Sequence, residues 1–306
     1  MNSANRHLAI SAALQRAAPA GFLSLLFAAS CAVASPFYFS TGDPDGRIAT
    51  ASRPKSGSTI GIESADDFVL PTATTLTSAT FTGLLPTGVQ LSDVQQVVVE
   101  IFRVFPKDSD LGRTSGAPTF STSLVPTRVN SPGDVVFASR DSAAGSLTFN
   151  ATTISSSFTA NNSVLNGINA KPSQTTGGEG PVTGTEVMFG ITFTIPIDLA
   201  ADHYFFVPEV LLSSGNFFWL SSPNPITGGS GPFAPDLQSW IRNDNLSPDW
   251  LRVGTDIVCG SPAPTFNATF SLTGESSNGS TVPEPTTLGL LGLGLAGLAA
   301  ARRRKQ

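Results

Sequence analysis

Apolar residues recur at every second position in many short segments of the chain, which predicts β-strands with one buried face. The clearest alternation covers residues 187–195, where each odd-numbered position is apolar. A second strong segment covers residues 94–105, in which Val97, Val99 and Ile101 supply a buried face. Glu100 lies between them and is expected on the opposite face. Further strands are predicted at 67–70, 76–81, 135–138, 147–149, 152–159, 204–212, 217–220 and 266–272, with the first two as a pair.

Clusters of Gly, Pro, Asn and Ser separate these segments, and the chain holds 29 Gly and 23 Pro. Many short strands between turn formers predict an all-β fold: an antiparallel two-sheet sandwich, jelly-roll-like, in one domain. Only residues 199–202 and 236–242 suggest short helices. The chain is 40% hydrophobic, so it can bury a core, and simple disorder is excluded.

Residues 1–34 have the parts of a secretory signal peptide and predict a helix before the sandwich. Arg6 and Arg16 make the start positive, residues 17–34 are apolar, and a small-residue cleavage site follows at Ala32 and Ala34. Signal peptidase is therefore an expected partner, and Ser35 is the predicted mature N-terminus. The alternative is a buried N-terminal helix.

The C-terminal end has three parts in order. A short motif comes first: Val282, Pro283, Glu284 and Pro285. An uncharged span at 287–301 follows, which predicts a transmembrane helix although it is shorter than the ~20 residues of a typical span. A basic end closes the chain and is expected to stay on the cytoplasmic side: Arg302, Arg303, Arg304 and Lys305.

This tail resembles the PEP-CTERM sorting signal of bacterial envelope proteins over residues 282–305. The resemblance implies an exosortase, a membrane-embedded cysteine protease, as a partner that removes the tail near 283–285. It also implies a Gram-negative host that makes exopolysaccharide. The expected location is transiently the inner membrane, then the cell surface or extracellular matrix. An ordinary tail anchor, which would keep the span, is the alternative.

The predicted organisation is a signal peptide at 1–34, an exported domain at 35–274, a linker at 275–282 and the sorting signal at 283–306. Residues 35–282 hold 11 Lys or Arg and 21 Asp or Glu, a net charge of −10. Nucleic acid is therefore not expected as a partner, because phosphate binding needs basic clusters. Neutral glycans or calcium suit such a surface better.

Few residues offer catalytic chemistry. His203 is the only histidine after the signal peptide, which excludes sites built on several histidines, and Cys259 is interpreted as a buried thiol. We expect no catalysis. The enzymatic alternative is a glycoside hydrolase with two facing carboxylates, whose candidates are Glu100, Glu186, Glu209, Asp236, Asp244, Asp249 and Asp256.

The region 217–256 is the densest in residue types that bind sugars. An aromatic platform with planar polar groups could form here from Trp219, Trp240, Arg242, Asp244, Asp249 and Trp250. Such a site would make the chain a carbohydrate-binding module. The alternative is a packed loop with buried indoles and an internal Arg–Asp network.

Two pairs of carboxylates suggest calcium as the one expected cofactor. Asp43 and Asp45 lie two residues apart before Gly46, and Asp66 and Asp67 begin a strand. Converging oxygen ligands are what calcium prefers. A turn that uses Asp and Gly for backbone reasons is the alternative for the first pair.

The sequence therefore predicts an exported surface or matrix protein, sorted by an exosortase-type system and associated with exopolysaccharide or biofilm matrix. A carbohydrate-binding module, with or without calcium, is the alternative. A secreted glycoside hydrolase is the third hypothesis.

Overall fold

Strands dominate the computed structural model, which describes residues 34–117, 121–168, 177–223, 237–258 and 265–277. The strands in these ranges are β1 Ser35–Ser40, β2 Ala49–Ala51, β3 Ile62–Leu70, β4 Thr74–Pro86, β5 Val94–Arg103, β6 Ala138–Asp141, β7 Leu147–Ala160, β8 Ser163–Val164, β9 Val182–Leu199, β10 Asp202–Leu212, β11 Phe218–Ser222, β12 Trp240–Asn243, β13 Leu251–Arg252, β14 Asn267–Ala268 and β15 Phe270–Ser276. Single 3-10 turns at Leu91–Asp93 and Leu111–Arg113 are the only helical segments in the same ranges.

The strands form two sheets. The first has nine strands in the order β1-β15-β4-β11-β2-β8, with β9 also on β4, β7 on β9 and β14 on β11. The second has six strands in the order β13-β12-β3-β10-β5-β6. The all-β, two-sheet prediction is confirmed. The first sheet is mixed rather than purely antiparallel, because β2 and β8 run parallel.

The main core lies between the sheets and is rich in phenylalanine. Phe81 and Phe189 from the nine-stranded sheet stack with ring centroids 4.9 Å apart. Phe206 from the six-stranded sheet stacks on Phe270 from the other, at 5.0 Å. All four belong to one buried cluster. The period-two pattern in β4, β9 and β15 therefore reflects packing of one sheet on the other.

The outer face of the six-stranded sheet is also buried in part. Phe102 of β5, Phe205 of β10 and Trp240 of β12 point away from the main core and form a separate cluster with Trp250. Because β3, β10 and β5 are covered on both faces, buried residues follow one another in these strands rather than at every second position.

Several sequence predictions need correction. The segments 67–70 and 76–81 are strands, but they lie in different sheets rather than as a pair. Neither predicted helix forms in the described residues: Leu199 ends β9, Asp202 begins β10, and 240–243 is strand β12. The alternation of apolar residues in β9 predicts that Ile195 is buried, but its side chain is 57% exposed.

The two ends of the exported domain meet on neighbouring strands. Ser35 of β1 lies opposite Ser276 of β15, and the described residues all belong to one compact unit, Ala32–Ser280. Strand β15 includes Glu275 and Ser276, which the sequence assigned to the linker. The predicted signal helix and the predicted transmembrane helix lie outside the described residues.

Candidate functional site

Four charged side chains gather on the outer face of the six-stranded sheet. Arg242 of β12 lies opposite Glu63 of β3, and Glu100 of β5 lies opposite Val207 of β10. Glu209 follows Val207 by two residues and therefore shares its face. We call Glu63, Glu100, Glu209 and Arg242 the Arg242 cluster.

Arg242 is the centre of this cluster. Its Nε and Nη2 donate to Glu63 Oε2 at 2.7 and 2.6 Å, and its Nη1 donates to the Pro248 carbonyl at 3.3 Å. The guanidinium carbon lies 4.3 Å from the Trp250 ring centroid and 4.9 Å from that of Phe102. Cation–π contact with these two adjacent rings and a charged partner hold a buried arginine in place.

Glu100 and Glu209 lack such support. Among the described residues, neither carboxylate accepts a hydrogen bond, although Glu209 is only 5% exposed. Burial raises the pKa of Glu209 well above its usual range, and the charges of Glu63 and Glu100 raise it further. Burial, with the charge of Glu63, raises the pKa of Glu100 to about 7.

Glu63 differs from its two neighbours because it is paired. Burial raises the pKa of Glu63, and the Arg242 guanidinium beside it offsets only part of that effect. One arginine thus faces three glutamates in a weakly solvated place. The arrangement shifts Glu209 toward its protonated form and places Glu100 near its titration midpoint at neutral pH. Such carboxyl groups can donate or accept a proton.

A covering loop network closes over the cluster beside Trp250. Asp249 is buried and accepts from Arg113 Nη1 at 3.0 Å and from Thr122 Oγ1 at 3.1 Å. Arg113 also binds Asp134 Oδ1 at 3.0 Å, and the buried Arg128 pairs with the same carboxylate. Trp250 Nε1 donates to the Gly133 carbonyl at 3.3 Å.

The predicted glycan residues do not form one exposed platform. Trp219 packs in the core between the sheets, whereas Trp240 and Trp250 pack on the outer face of the six-stranded sheet. All three indoles are buried and donate to backbone carbonyls: Thr269, Leu237 and Gly133. This geometry corresponds to the packed-loop alternative.

Of the predicted polar groups, the structure brings Arg242 onto Trp250 and places Asp249 in the network beside it. Asp244 instead pairs with Lys55 at 3.1 Å near the surface. The six candidates therefore divide among four places. Trp219 lies in the core between the sheets, and Trp240, Arg242 and Trp250 lie on the outer face of the six-stranded sheet. Asp249 lies in the loop network, and Asp244 lies in a surface pair.

The predicted calcium pairs have protein partners. Asp66 Oδ2 accepts from the Ala268 amide at 2.8 Å, and Asp67 Oδ2 lies 2.5 Å from His203 Nε2, both fully buried. Asp45 Oδ1 accepts from the Arg47 amide at 2.9 Å, while Asp45 Oδ2 is buried without a hydrogen-bond partner. Asp43 is exposed.

No group of three or more His, Cys, Asp or Glu side chains in the described ranges has a geometry that could hold a metal ion. His203 is half of a buried pair with Asp67. Cys259 and Asp236 lie outside the described residues.

Comparison with known proteins decides one point. Residues 281–305 match the family model described as the PEP-CTERM protein-sorting motif. The chain therefore carries a PEP-CTERM sorting signal. No curated protein matches the chain.

The match confirms the recognition of a PEP-CTERM protein from its tail. The signal implies processing by an exosortase-type membrane protein, and it implies export to the cell surface or extracellular space. The motif residues 282–285, the span 287–301 and the basic end 302–305 lie outside the described residues, as do Ala32 and the rest of the signal peptide before Ala34. Within the described ranges, no helix has the length and apolar character needed to cross a membrane.

Sequence reasoning on this PEP-CTERM protein missed Glu63. The only local indication is its position in β3, two residues before Ala65 and four before Asp67, which places all three on the outer face of the sheet. Its partner Arg242 is 179 residues away in sequence, so the pair is visible only once β12 is placed beside β3.

Proposed function

We propose that this chain is an exported protein of the cell surface or extracellular matrix, sorted by an exosortase-type system and associated with exopolysaccharide, without catalysis. The observation that carries the proposal is the sorting motif at residues 281–305. The association with exopolysaccharide rests on the resemblance of the tail and on a net charge that suits neutral polymers better than anionic ones.

The route to the surface has four steps. Signal peptidase cuts after Ala34, which leaves Ser35 as the first residue of β1 and keeps that strand whole. The span 287–301 then holds the chain in the inner membrane with residues 302–305 on the cytoplasmic side. The exosortase-type enzyme removes the tail near Pro283, and the domain reaches the surface or matrix.

Glu284→Ala in the producing cells tests the sorting step. We expect export and cleavage before Ser35 to continue, while the tail stays attached and the protein remains in the membrane fraction. Glu275→Ala, a change of an exposed glutamate in β15, is the matched control and should be processed normally. Intact mass gives both ends. Tail removal from the Glu284→Ala protein at the normal rate would overturn the proposal.

A second candidate function is carboxylate-based hydrolysis of a glycosidic bond. It is favoured by Glu100 and Glu209, which share a face on adjacent strands and have no hydrogen-bond donor among the described residues. Diagonal neighbours on paired strands are roughly 7–8 Å apart, with their Cβ atoms somewhat closer, a spacing of the size that an acid and a base need to act across one water.

The release of reducing ends from neutral polysaccharides tests this second function. Activity that disappears in Glu209→Gln and persists in Glu275→Gln would establish it. Wild-type protein without activity on a broad panel would remove it and leave the non-catalytic proposal.

Calcium remains a proposed ligand of the Asp43–Asp45 turn, supported by the buried Asp45 Oδ2 that lacks a hydrogen-bond partner. We expect calcium to raise the thermal midpoint of the wild type relative to EDTA, and Asp45→Asn to lose that increase. An equal increase in Asp45→Asn would place the ion elsewhere.

A further inference from the structure

Five neighbouring strands of the nine-stranded sheet, in the order β1-β15-β4-β9-β7, have an outer face that is exposed or partly exposed within the described ranges. Their inward residues fill the main core, for example Phe39, Leu272, Phe81 and Phe189. Outward residues alternate with them. These strands pair along most of their length, so their outward side chains form continuous rows across the sheet.

One row carries hydroxyl groups from end to end. Pairing aligns Tyr38, Thr273, Ser78, Thr192 and Thr148 on β1, β15, β4, β9 and β7 in turn. Tyr38 is 70% exposed. Each hydroxyl can both donate and accept a hydrogen bond. The row therefore presents five such groups and one exposed aromatic ring.

The next row along the strands continues the pattern with Ser40, Ser271, Thr80, Gly190 and Asn150. The hydroxyls of Thr80 and Ser271 are 2.6 Å apart. A side chain at position 190 would overlap the Asn150 amide, so Gly190 gives that amide room to lie flat on the sheet. The rows are about 7 Å apart, and five strands make the face roughly 19 Å wide.

Charge distinguishes this surface from the rest of the domain. Neither row contains an ionisable carboxylate or a basic group, whereas residues 35–282 carry a net charge of −10. Asp198 and Glu275 lie beyond the rows, opposite Thr75 at one end of the sheet. A protein partner usually buries an apolar centre, which these rows lack. A neutral polymer rich in hydroxyl groups fits the face in charge and in hydrogen bonding.

We propose that these two rows, here called the hydroxyl face, bind a neutral polysaccharide chain, with the Tyr38 ring stacked on a sugar ring. This inference rests on the proposed function, which places the protein and the polysaccharide together in the matrix. It adds the surface through which they make contact. Hydrogen bonds from many weak groups make the expected affinity modest and dependent on polymer length.

Affinity electrophoresis of residues 35–280, the compact unit with its own core, tests the proposal with dextran and hydroxyethyl cellulose as neutral probes and alginate as the anionic one. We expect the neutral polymers alone to retard the wild type. Tyr38→Ala and Thr192→Glu should weaken retardation by about tenfold or more. Gln95→Glu, which adds a carboxylate at an exposed position of β5, should bind as the wild type does.

Three results would overturn the inference. The first is binding to the neutral polymers that persists in both Tyr38→Ala and Thr192→Glu. The others are binding to alginate alone and no binding to any polymer. Self-association that Thr192→Glu abolishes would also contradict it, because the partner would then be a second copy. A failed Glu284→Ala experiment would refute the sorting proposal and leave these binding results unaffected, so the two failures are distinguishable.

Discussion

The outer faces of the two sheets differ in their exposure to solvent, although side chains alternate between the two faces in the same way. The hydroxyl face on β1, β15, β4, β9 and β7 is open and uncharged in its two rows. The outer face of β12, β3, β10 and β5 is covered in part by Trp250 and its loops. It holds the buried Arg242 and Glu209 and the partly buried Glu63 and Glu100. An open face needs no internal partners, whereas a covered one must compensate each charge that it hides.

This contrast separates stability from recognition. Substitutions in the Arg242 cluster should change the free energy of unfolding strongly, because water has only limited access to replace a lost partner there. Substitutions on the hydroxyl face should change it little, because water takes over the hydrogen bonds of a removed group. The expected changes in the free energy of unfolding therefore decrease from the covered face to the open one.

Arg242→Met should have the largest effect. It leaves Glu63 without its charged partner and removes the guanidinium that contacts Trp250 and Phe102, at an expected cost of about 3–5 kcal/mol in the free energy of unfolding. Lys55→Met is the control, because it breaks the surface pair with Asp244 and should cost less than about 1 kcal/mol. Denaturant unfolding measures both. Similar losses in the two variants would contradict the difference between the faces.

The pH dependence of stability should be the next largest effect. Burial and Glu63 raise the pKa of Glu100 to about 7, with Arg242 acting against them and Glu209 as its neighbour. A raised pKa favours the protonated carboxyl in the folded state. Its stabilisation is therefore full below the ordinary glutamate range and is lost as pH rises through 7.

We expect the free energy of unfolding to fall from about pH 5 to about pH 8, by roughly 3 kcal/mol for Glu100 alone. Glu100→Gln should make that slope shallower, with Glu209 and Glu63 still contributing to it, while Glu275→Gln should leave it unchanged. A wild-type curve that rises through this interval would show that Glu100 ionises easily in the folded protein.

Thr80→Val should have the smallest effect. The change removes one hydroxyl that lies 2.6 Å from Ser271 Oγ at a partly exposed position, so the free energy of unfolding should change by less than about 1 kcal/mol. Thermal unfolding at neutral pH measures it. A loss as large as that of Arg242→Met would show that the hydroxyl rows support the fold rather than a partner.

Sequence patterns predicted the strands well where one face packs on the main core. Val97, Val99 and Ile101 are buried as expected and place Glu100 on the opposite face. The same logic failed at Ile195, which lies in an irregular stretch of β9, between Thr192 opposite Ser78 and Ile197 opposite Leu76, where the pairing with β4 is shifted. Alternation indicates which face is apolar, but only the neighbouring strands decide whether it is covered.

The Arg242 cluster was beyond sequence reasoning for a different reason. Glu63, Glu100, Glu209 and Arg242 come from four strands, and the order β12-β3-β10-β5 joins segments that are far apart in the chain. The tryptophans of 217–256 suggested an exposed platform because aromatic residues with polar neighbours suit both sites and cores. The hydroxyl face could not be predicted from the sequence, because single Ser and Thr residues in strands indicate no shared surface until the strand registers are known.

Hydroxyl-radical footprinting of the soluble domain, with and without dextran, compares the two faces most directly. Tyr38 and Met188 are exposed on the outer side of the nine-stranded sheet, whereas Leu111 and Phe137 are exposed beside the six-stranded sheet. The account predicts that dextran lowers the oxidation of Tyr38 and Met188 and leaves Leu111 and Phe137 unchanged. Protection of Leu111 and Phe137 with Tyr38 still reactive would contradict it.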